Sequence, residues 1–488
     1  NRGSGPEAKS FSRMQFSRPG AARLCRLLLT PRCRRFGSRG ESGPAATTVS
    51  QHTGEPASTS TLSSSAPQRR KGRRLGAAVW RPEIDLDYLL DEKNVEEIRK
   101  NIRDRKGVGD IDAVHAAWQR IEAAIEGREK PPAEADYAET WDTLYNEALR
   151  IPNRTYPGVP RGGEEKARVV DMLNPNARRD EPKLQTAEQF VKSWRCLYHP
   201  TEASGQRSYA FLGPLARLER ALLDFAYARV EALGFRPVVV PDLVPRDVGA
   251  ACGVTAEGMQ YTLDSDPSVA LSGTAEMGIA AMLRVKHFPA EQLPLRFVSQ
   301  SRCFRPEISK SASEAKLYRV HEFSKVEMFV VCSPEESERE LAYLLETQKD
   351  IVRELGLHAR VLEMPTEELG ASAAHKFDIE AWMPGRRLFG EISSASNCSD
   401  YQAARLGIRY IDRATGQRHL THTCNGTALA TPRAMIAVVE THQDEKRKGS
   451  LKELPEAIRT RVELRDEQGN RIREAKIKFQ TAPPFVPF

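Results

Sequence analysis

The sequence is short of paired cysteines, of long apolar runs and, along its first 78 residues, of acidic side chains. Its eight cysteines, Cys25, Cys33, Cys196, Cys252, Cys303, Cys332, Cys398 and Cys424, form no CxxC pair and no compact Cys/His cluster. Neither a zinc knuckle nor a redox motif is supported, and no zinc is expected. Scattered thiols in 488 residues also exclude a small disulfide scaffold and fit a reducing compartment. No apolar run approaches the roughly 20 residues of a membrane-spanning helix, so no membrane partner is expected. What is there, 40% hydrophobic and 28% charged residues, allows about three domains around a large core.

The missing acids are informative because the net charge of +7 is unevenly spread. Residues 1–78 hold fifteen of the 73 Lys/Arg but only Glu7, Glu41 and Glu55, which leaves 58 basic and 63 acidic residues beyond them. The basic excess therefore belongs to a leader. That leader is Arg- and Ser-rich, with Arg13, Arg18, Arg23 and Arg26 around Leu24, Leu27, Leu28 and Leu29. This is transit-peptide composition and predicts the mitochondrial matrix; a disordered basic tail that touches RNA is the alternative. The chain opens at Asn1, which makes Met14 a candidate start.

From residue 79 to 153 the pattern turns helical. Val95, Ile98 and Ile102 share a face behind Asn94 or Asp91 as N-cap. Ile111, Val114, Trp118, Ile121 and Ile125 recur at spacings of 3, 4, 3 and 4, a heptad seam. After the breaker GREKPP, Tyr137, Trp141, Leu144 and Ala148 recur at 4, 3 and 4. The two runs predict an antiparallel hairpin projecting about 20 to 25 Å at 1.5 Å per residue; an ordinary packed helix pair is the alternative. IPNRTYPGVPRGGEE follows as a linker by composition, and a new domain is expected near Arg168.

Beyond it, Leu215, Leu218, Leu222, Phe225 and Val230 stripe a helix that ends at Gly234. FRPVVVP reads as a short buried strand closed by Pro241. RFVSQSRCFRPE and YRVHEFSKVEMFVVC read as a hairpin with a long tip, FDIEAWMPG and RRLFGEISSASNC as two more strands, and TPRAMIAVVETHQ as a helix. The fold class is α+β, an antiparallel sheet flanked by helices and preceded by the hairpin arm.

Phe304-Arg305-Pro306-Glu307 with Arg319 to Glu327 resembles motif 2 of the class II aminoacyl-tRNA synthetases, and Asn425 to Arg433 resembles motif 3. Gly234 to Pro241 is similar to the motif 1 strand that the family uses at its dimer interface. Thr274-Ala275-Glu276, the stretch Phe377 to Gly385 and Glu391 to Cys398 resemble the seryl branch, as does the arm closing in IPN. The resemblance runs from about Gly205 to Gln443. It implies a class II synthetase sheet, a homodimer, and activation of L-serine with ATP before transfer to tRNA(Ser). It also implies a division into a transit leader (1–78), a tRNA-binding arm with linker (79–167), a catalytic domain (168–443) and a basic tail (444–488).

The chemistry that it implies suits these residue types. Activation brings two anions together, the serine carboxylate and the α-phosphate, so fixed guanidinium groups are needed. Arg305 would bridge the two and Arg433 would hold the γ-phosphate. Glu391 and Ser394 would hold Mg2+, which takes one or two protein oxygens beside phosphate, with Ile392 and Ser393 between them at the nucleotide. Phe323 would stack on adenine and Glu307 reach its amine. Thr274 and Glu276 would take the serine ammonium, although a Thr-x-Glu triplet is also an ordinary N-cap signature. Glu327, with Asn425 or Thr427, would pair the hydroxyl. His321 and Cys303 lack the spacing of a nucleophile and its base.

For RNA, Arg99, Lys100, Arg103, Arg105, Lys106, Arg120, Arg128 and Lys130 are the basic candidates on the arm, against a solvated helix face. Lys446, Arg447, Lys448, Lys452, Arg459, Arg461, Lys476 and Lys478 offer a second contact in the tail. One departure stands out: QAARL at 402–406 carries Ala404 where the family commonly has arginine. The competing readings are a threonine or proline synthetase, and a catalytically silent paralogue that binds RNA or a protein partner. The arm and the Thr274 frame argue against the former. The latter predicts damage at Arg305, Glu391 or Arg433, and all three are intact.

Overall fold

The structure, a computed structural model, describes residues 81–126, 134–255, 258–307, 316–447, 450–452 and 454–462. The leader, Arg128, Lys130, the tip of the motif 2 hairpin, and Lys448, Lys476 and Lys478 of the tail lie outside them. The arm comprises helices α1 (Leu86–Leu90), α2 (Glu92–Asp104), α3 (Ile111–Ile125) and α4 (Glu134–Arg150). Asp91 caps α2 by accepting from Lys93 N at 3.0 Å, and Asp110 caps α3 by accepting from Asp112 N at 2.9 Å. Ile111, Val114 and Ile121 meet Leu144 and Ala148 across the hairpin, and Ile98 and Ile102 of α2 close the same core. Trp118 and Trp141 meet edge to face at 6.2 Å.

The proline-rich stretch after α4 is not the free linker its composition predicts. Ile151, Asn153 and Val159 are buried, and the backbone amides of Asn153 and Tyr156 donate to Ala371 and Ala374, both at 2.9 Å. Prolines here fix an extended chain whose remaining amides pair with the core, which makes the stretch a docked strap.

The core is an eight-stranded sheet built from β1 (Arg168–Leu173), β2 (Arg236–Pro237), β3 (Leu295–Phe304), β4 (Glu322–Cys332), β5 (Ala359–Glu363), β6 (His375–Met383), β7 (Leu388–Asn397) and β8 (His422–Ala430). Their order is β1-β5-β6-β7-β8-β4-β3-β2. Every pairing is antiparallel except the last, where β2 runs parallel to β3. Strand alternation sorts β4 into two faces. Val326, Met328 and Val330 enter the main core beside α5 (Gly213–Glu231), α7 (Ser337–Glu354) and α9 (Arg433–Thr441), while Phe323, Lys325 and Glu327 face the opposite side. There α6 (Ala275–Leu283) packs against β3 and β4.

Two expectations need correction. FRPVVVP is not a buried strand: only Arg236 and Pro237 pair, at the sheet edge, and Val239 is 95% exposed. A valine run marks burial only where both faces are covered, and here the ladder ends. The beginning of the basic tail, in turn, is part of the core. Helix α10 (Glu456–Val462) lies on α5, Ile458 is 0% exposed, and Arg217 Nε donates to Val462 O at 3.0 Å. Replacing Ile458 with alanine should cost about 2 to 4 kcal/mol of unfolding free energy in a urea titration. A cost under about 0.5 kcal/mol would show that the tail does not belong to the folded core.

Candidate active site

The thirteen residues assigned to ATP and serine line one open cleft on the α6 side of the sheet. The floor comes from neighbouring strands. Lys325 and Glu327 of β4 are ion-paired, and Thr427 of β8, directly opposite Glu327 in register, donates its hydroxyl to Glu327 Oε2 at 3.2 Å. Thr274 is the N-cap of α6, its Oγ1 accepting from Glu276 N at 3.3 Å and from Lys325 Nζ at 2.8 Å. The N-cap reading of this triplet holds, and the same cap places Thr274 and Glu276 in the cleft lining.

Glu276 lies at the bottom, accepting from Asn425 Nδ2 at 3.0 Å and from Gln402 Nε2. Burial, with the Glu327 carboxylate nearby, pushes its carboxyl up to about 7. Gln402 is itself held by the Thr423 hydroxyl at 2.7 Å. At the other end Arg433, the first residue of α9, donates to Glu391 Oε2 and Tyr318 O, both at 3.2 Å. Arg305 lies over Phe323, 5.2 Å from the ring centroid, and Arg319 donates to Glu307 at 3.0 Å. Burial alone would raise the Glu391 carboxyl, but Lys376, Arg433 and Arg305 outweigh it and hold it below the usual range.

A bulge explains how Glu391 and Ser394, three apart on one strand, serve the same face. Glu380 pairs with Glu391 and Ile379 with Ser393, so β7 carries one extra residue, Ile392, between them. Strand alternation is reset and both oxygens turn to one side. Ser393 turns away and donates its buried hydroxyl to Thr427 O. His321 bridges Tyr261 OH at 2.8 Å and Arg305 O at 3.3 Å, and Cys303 is buried with its thiol pushed up by that burial. Neither has the partners of a nucleophilic pair.

Residues 261–442 match the family model described as the tRNA synthetase class II core domain (G, H, P, S and T). The mitochondrial serine–tRNA ligase of Mus musculus is 42% identical over 315 residues, which cover 62% of this chain and 60% of the mouse protein. The serine–tRNA ligase of Treponema denticola is 33% identical over 416 residues, covering 76% of this chain and 97% of that relative. The chain belongs to the serine–tRNA ligase family. The crystal structure of seryl-tRNA synthetase from Pyrococcus horikoshii complexed with ATP superposes with a TM-score of 0.60 at 29% identity, over 77% of this chain and 91% of that one. The class II core expected from the motifs is thus present, while the chain spans about three fifths of the length of the mouse relative.

Within this serine–tRNA ligase fold the sequence reasoning missed Lys325 and Gln402. Lys325 was findable, because a strand carrying Phe323 and Glu327 into the site must carry the residue between them on the same face. Gln402 was not, since it reaches Glu276 across 126 positions. Among the arm candidates, Arg105 is corrected: it is 5% exposed and bonded to core carbonyls. Arg99 is half-buried and Arg103 exposed, both paired with Glu96 and, for Arg99, also with Asp112, and Lys106 pairs with Glu368; Arg120 is exposed.

The raised Glu276 carboxyl makes a prediction about the empty protein. Between its ordinary value near 4.5 and about 7 the folded chain holds a proton that the unfolded chain has released, so this group's contribution to stability falls as pH rises. The stability advantage of Glu276→Gln over the unaltered chain should therefore grow from pH 5 to pH 8 in paired urea titrations. A pH-independent difference would mean that the carboxyl titrates normally.

Proposed function

We propose that the chain activates L-serine with ATP, releasing pyrophosphate and forming seryl-adenylate, and then transfers serine to the 3′ end of a mitochondrial tRNA(Ser). The observation that carries this reading is the cleft that gathers two guanidinium groups, Arg305 and Arg433, with a buried floor of Glu276, Lys325, Glu327 and Thr427. The Pyrococcus horikoshii relative is complexed with ATP in its crystal structure, and the relatives' names carry serine, tRNA and, for the mouse protein, mitochondria.

In this reading Glu276, Thr274 and Asn425 receive the serine ammonium, a positive charge that favours the ionised Glu276 carboxyl. The serine hydroxyl meets Glu327 and Thr427, so alanine would leave buried polar groups unsatisfied. Arg305 draws the carboxylate toward the α-phosphate and stabilises the charge that spreads there during in-line attack. Phe323 and Glu307 hold adenine, the Ile392–Ser393 backbone borders the nucleotide, and Arg433 takes the γ-phosphate. Glu391 and Ser394 are an all-oxygen pair on one face of β7 and fit Mg2+, whose bound form would screen the phosphate charge.

The arm, with Arg99, Arg103, Arg120 and Arg128 as contacts, would read the tRNA by shape outside its anticodon. The exposed Val239, just past the β2 edge, and the likeness of Gly234 to Pro241 to the motif 1 strand support a homodimer there. The leader's composition supports delivery to the mitochondrial matrix. The domain division expected from sequence is kept as part of this proposal, with the strap and α10 counted with the core on which they pack.

The test is amino-acid-dependent ATP–pyrophosphate exchange, run with serine, threonine, alanine and cysteine. Serine alone should drive exchange, and Arg305→Ala should lower it roughly 100-fold or more while leaving the melting transition in place. Near-normal exchange in that variant, or exchange driven equally by threonine, would contradict the assignment.

A further inference from the structure

Two buried polar residues that the mechanism leaves unused, Arg105 and Asn153, meet at the root of the arm. Asn153, from the IPN stretch, is 7% exposed. Its amide nitrogen lies 2.7 Å from Ser372 O, 2.8 Å from Cys398 O and 2.9 Å from Ser399 Oγ. Two amide protons cannot serve three acceptors, and the Ser399 hydroxyl also lies 3.2 Å from Asn153 Oδ1. The consistent assignment gives both protons to the carbonyls of Ser372 and Cys398, and the Ser399 proton to Asn153 Oδ1.

Asn153 is held in turn from the arm. Its carbonyl accepts from Asn101 Nδ2 at 3.0 Å and from Arg105 Nη1 at 3.1 Å. The Arg105 guanidinium also donates to Thr155 Oγ1 at 3.2 Å, Ala373 O at 3.0 Å and Gly370 O. All of these acceptors are neutral. A buried cation met only by neutral oxygens is costly, and it persists where its planar fork fixes several backbone segments at once. On the far side, Cys398 follows β7 directly, its Sγ lies 3.7 Å from Asn425 Nδ2, and that same nitrogen donates to Glu276 Oε1 at 3.0 Å. An unbroken polar chain thus runs from α2 through Arg105, Asn153, Cys398 and Asn425 to Glu276.

We propose that Asn153, held by Arg105, is a positioning residue for the serine pocket: it fixes the Cys398 end of β7 and so sets Asn425 against Glu276. The root of the arm and the amine end of the pocket then form one hydrogen-bonded unit. The orientation of the RNA-binding hairpin and the geometry of amino-acid recognition depend on the same contacts. This inference rests on the serine reading given above.

The experiment measures KM for serine and for ATP by pyrophosphate exchange without tRNA, in the unaltered chain, Asn153→Ala and Ser399→Ala, with active sites titrated. Asn153→Ala should raise the serine KM at least fivefold and leave the ATP KM within twofold, because the nucleotide contacts at Phe323 and Arg433 lie outside the chain of bonds. Ser399→Ala, which removes one hydroxyl, should raise the serine KM about twofold. A merely structural role would lower the active fraction and leave both KM values unchanged, and that result would overturn the proposal. If Asn153→Ala does not fold, an unchanged serine KM in Ser399→Ala overturns it equally. No serine exchange in the unaltered chain would remove the functional reading and this inference with it, whereas normal exchange there with unchanged variants removes the inference alone.

Discussion

The constraint on which the rest of the structure depends is the burial of ionisable side chains at the floor of the cleft. Glu276, Lys325 and Glu327 lie beneath the surface of a sheet whose other face is packed with Val326, Met328 and Val330. Charged groups taken from water are tolerated only when paired and hydrogen-bonded. Each strand and loop around them supplies a partner: Thr274 from the cap of α6, Thr427 from β8, and Gln402 from α8 (Tyr401–Leu406). Removing any of these would leave a buried group unsatisfied. One carboxyl, Glu276, is left under-compensated and rises to about 7, because burial and the Glu327 carboxylate outweigh Lys325 and Arg305.

The same floor orders the architecture around it. The β7 bulge brings the Glu391 and Ser394 oxygens to one face, and α9 begins at Arg433, so its first side chain returns over the cleft to Glu391. The strap and the arm root belong to this scheme. Asn153 reaches the strand end behind Asn425, and Arg105, one residue past α2, takes up the carbonyls of the loop at 370–373. Ala404, the departure from the family pattern, sits beside this region, where its carbonyl accepts from Glu83 N at 2.9 Å. Arg405, next to it, lies over the Tyr401 ring and donates to Leu149 O at the end of α4. The catalytic core and the arm therefore share side chains that a linear division into domains would assign to one or the other.

How much of this was legible in the sequence follows the range of the interactions concerned. Helices declared themselves through local signals, as with Asp91 before the face of Val95, Ile98 and Ile102 and with the heptad seam that follows. The site residues were legible because the motifs kept their order and frame, and strand alternation then placed them on one face. Three things resisted. The valine run at 238–240 has strand composition whether or not a neighbour covers it, so the exposure of Val239 between the half-buried Val238 and Val240 could not be read locally. Arg105 looks like any surface arginine until the strap is folded back over it. Ile458 lies in a segment whose charge hides one anchoring apolar residue, and only its fit against α5 shows that the segment is core.

The most direct measurement is calorimetric binding of two nonhydrolysable aminoacyl-adenylate analogues to the unaltered chain, one carrying serine and the other alanine. A floor of buried polar groups that must pair a hydroxyl predicts that the seryl analogue binds roughly 100-fold tighter or more. Affinities equal within about threefold, a difference worth well under 1 kcal/mol, would contradict the account, because the floor would then be satisfied without the hydroxyl that it is built to receive.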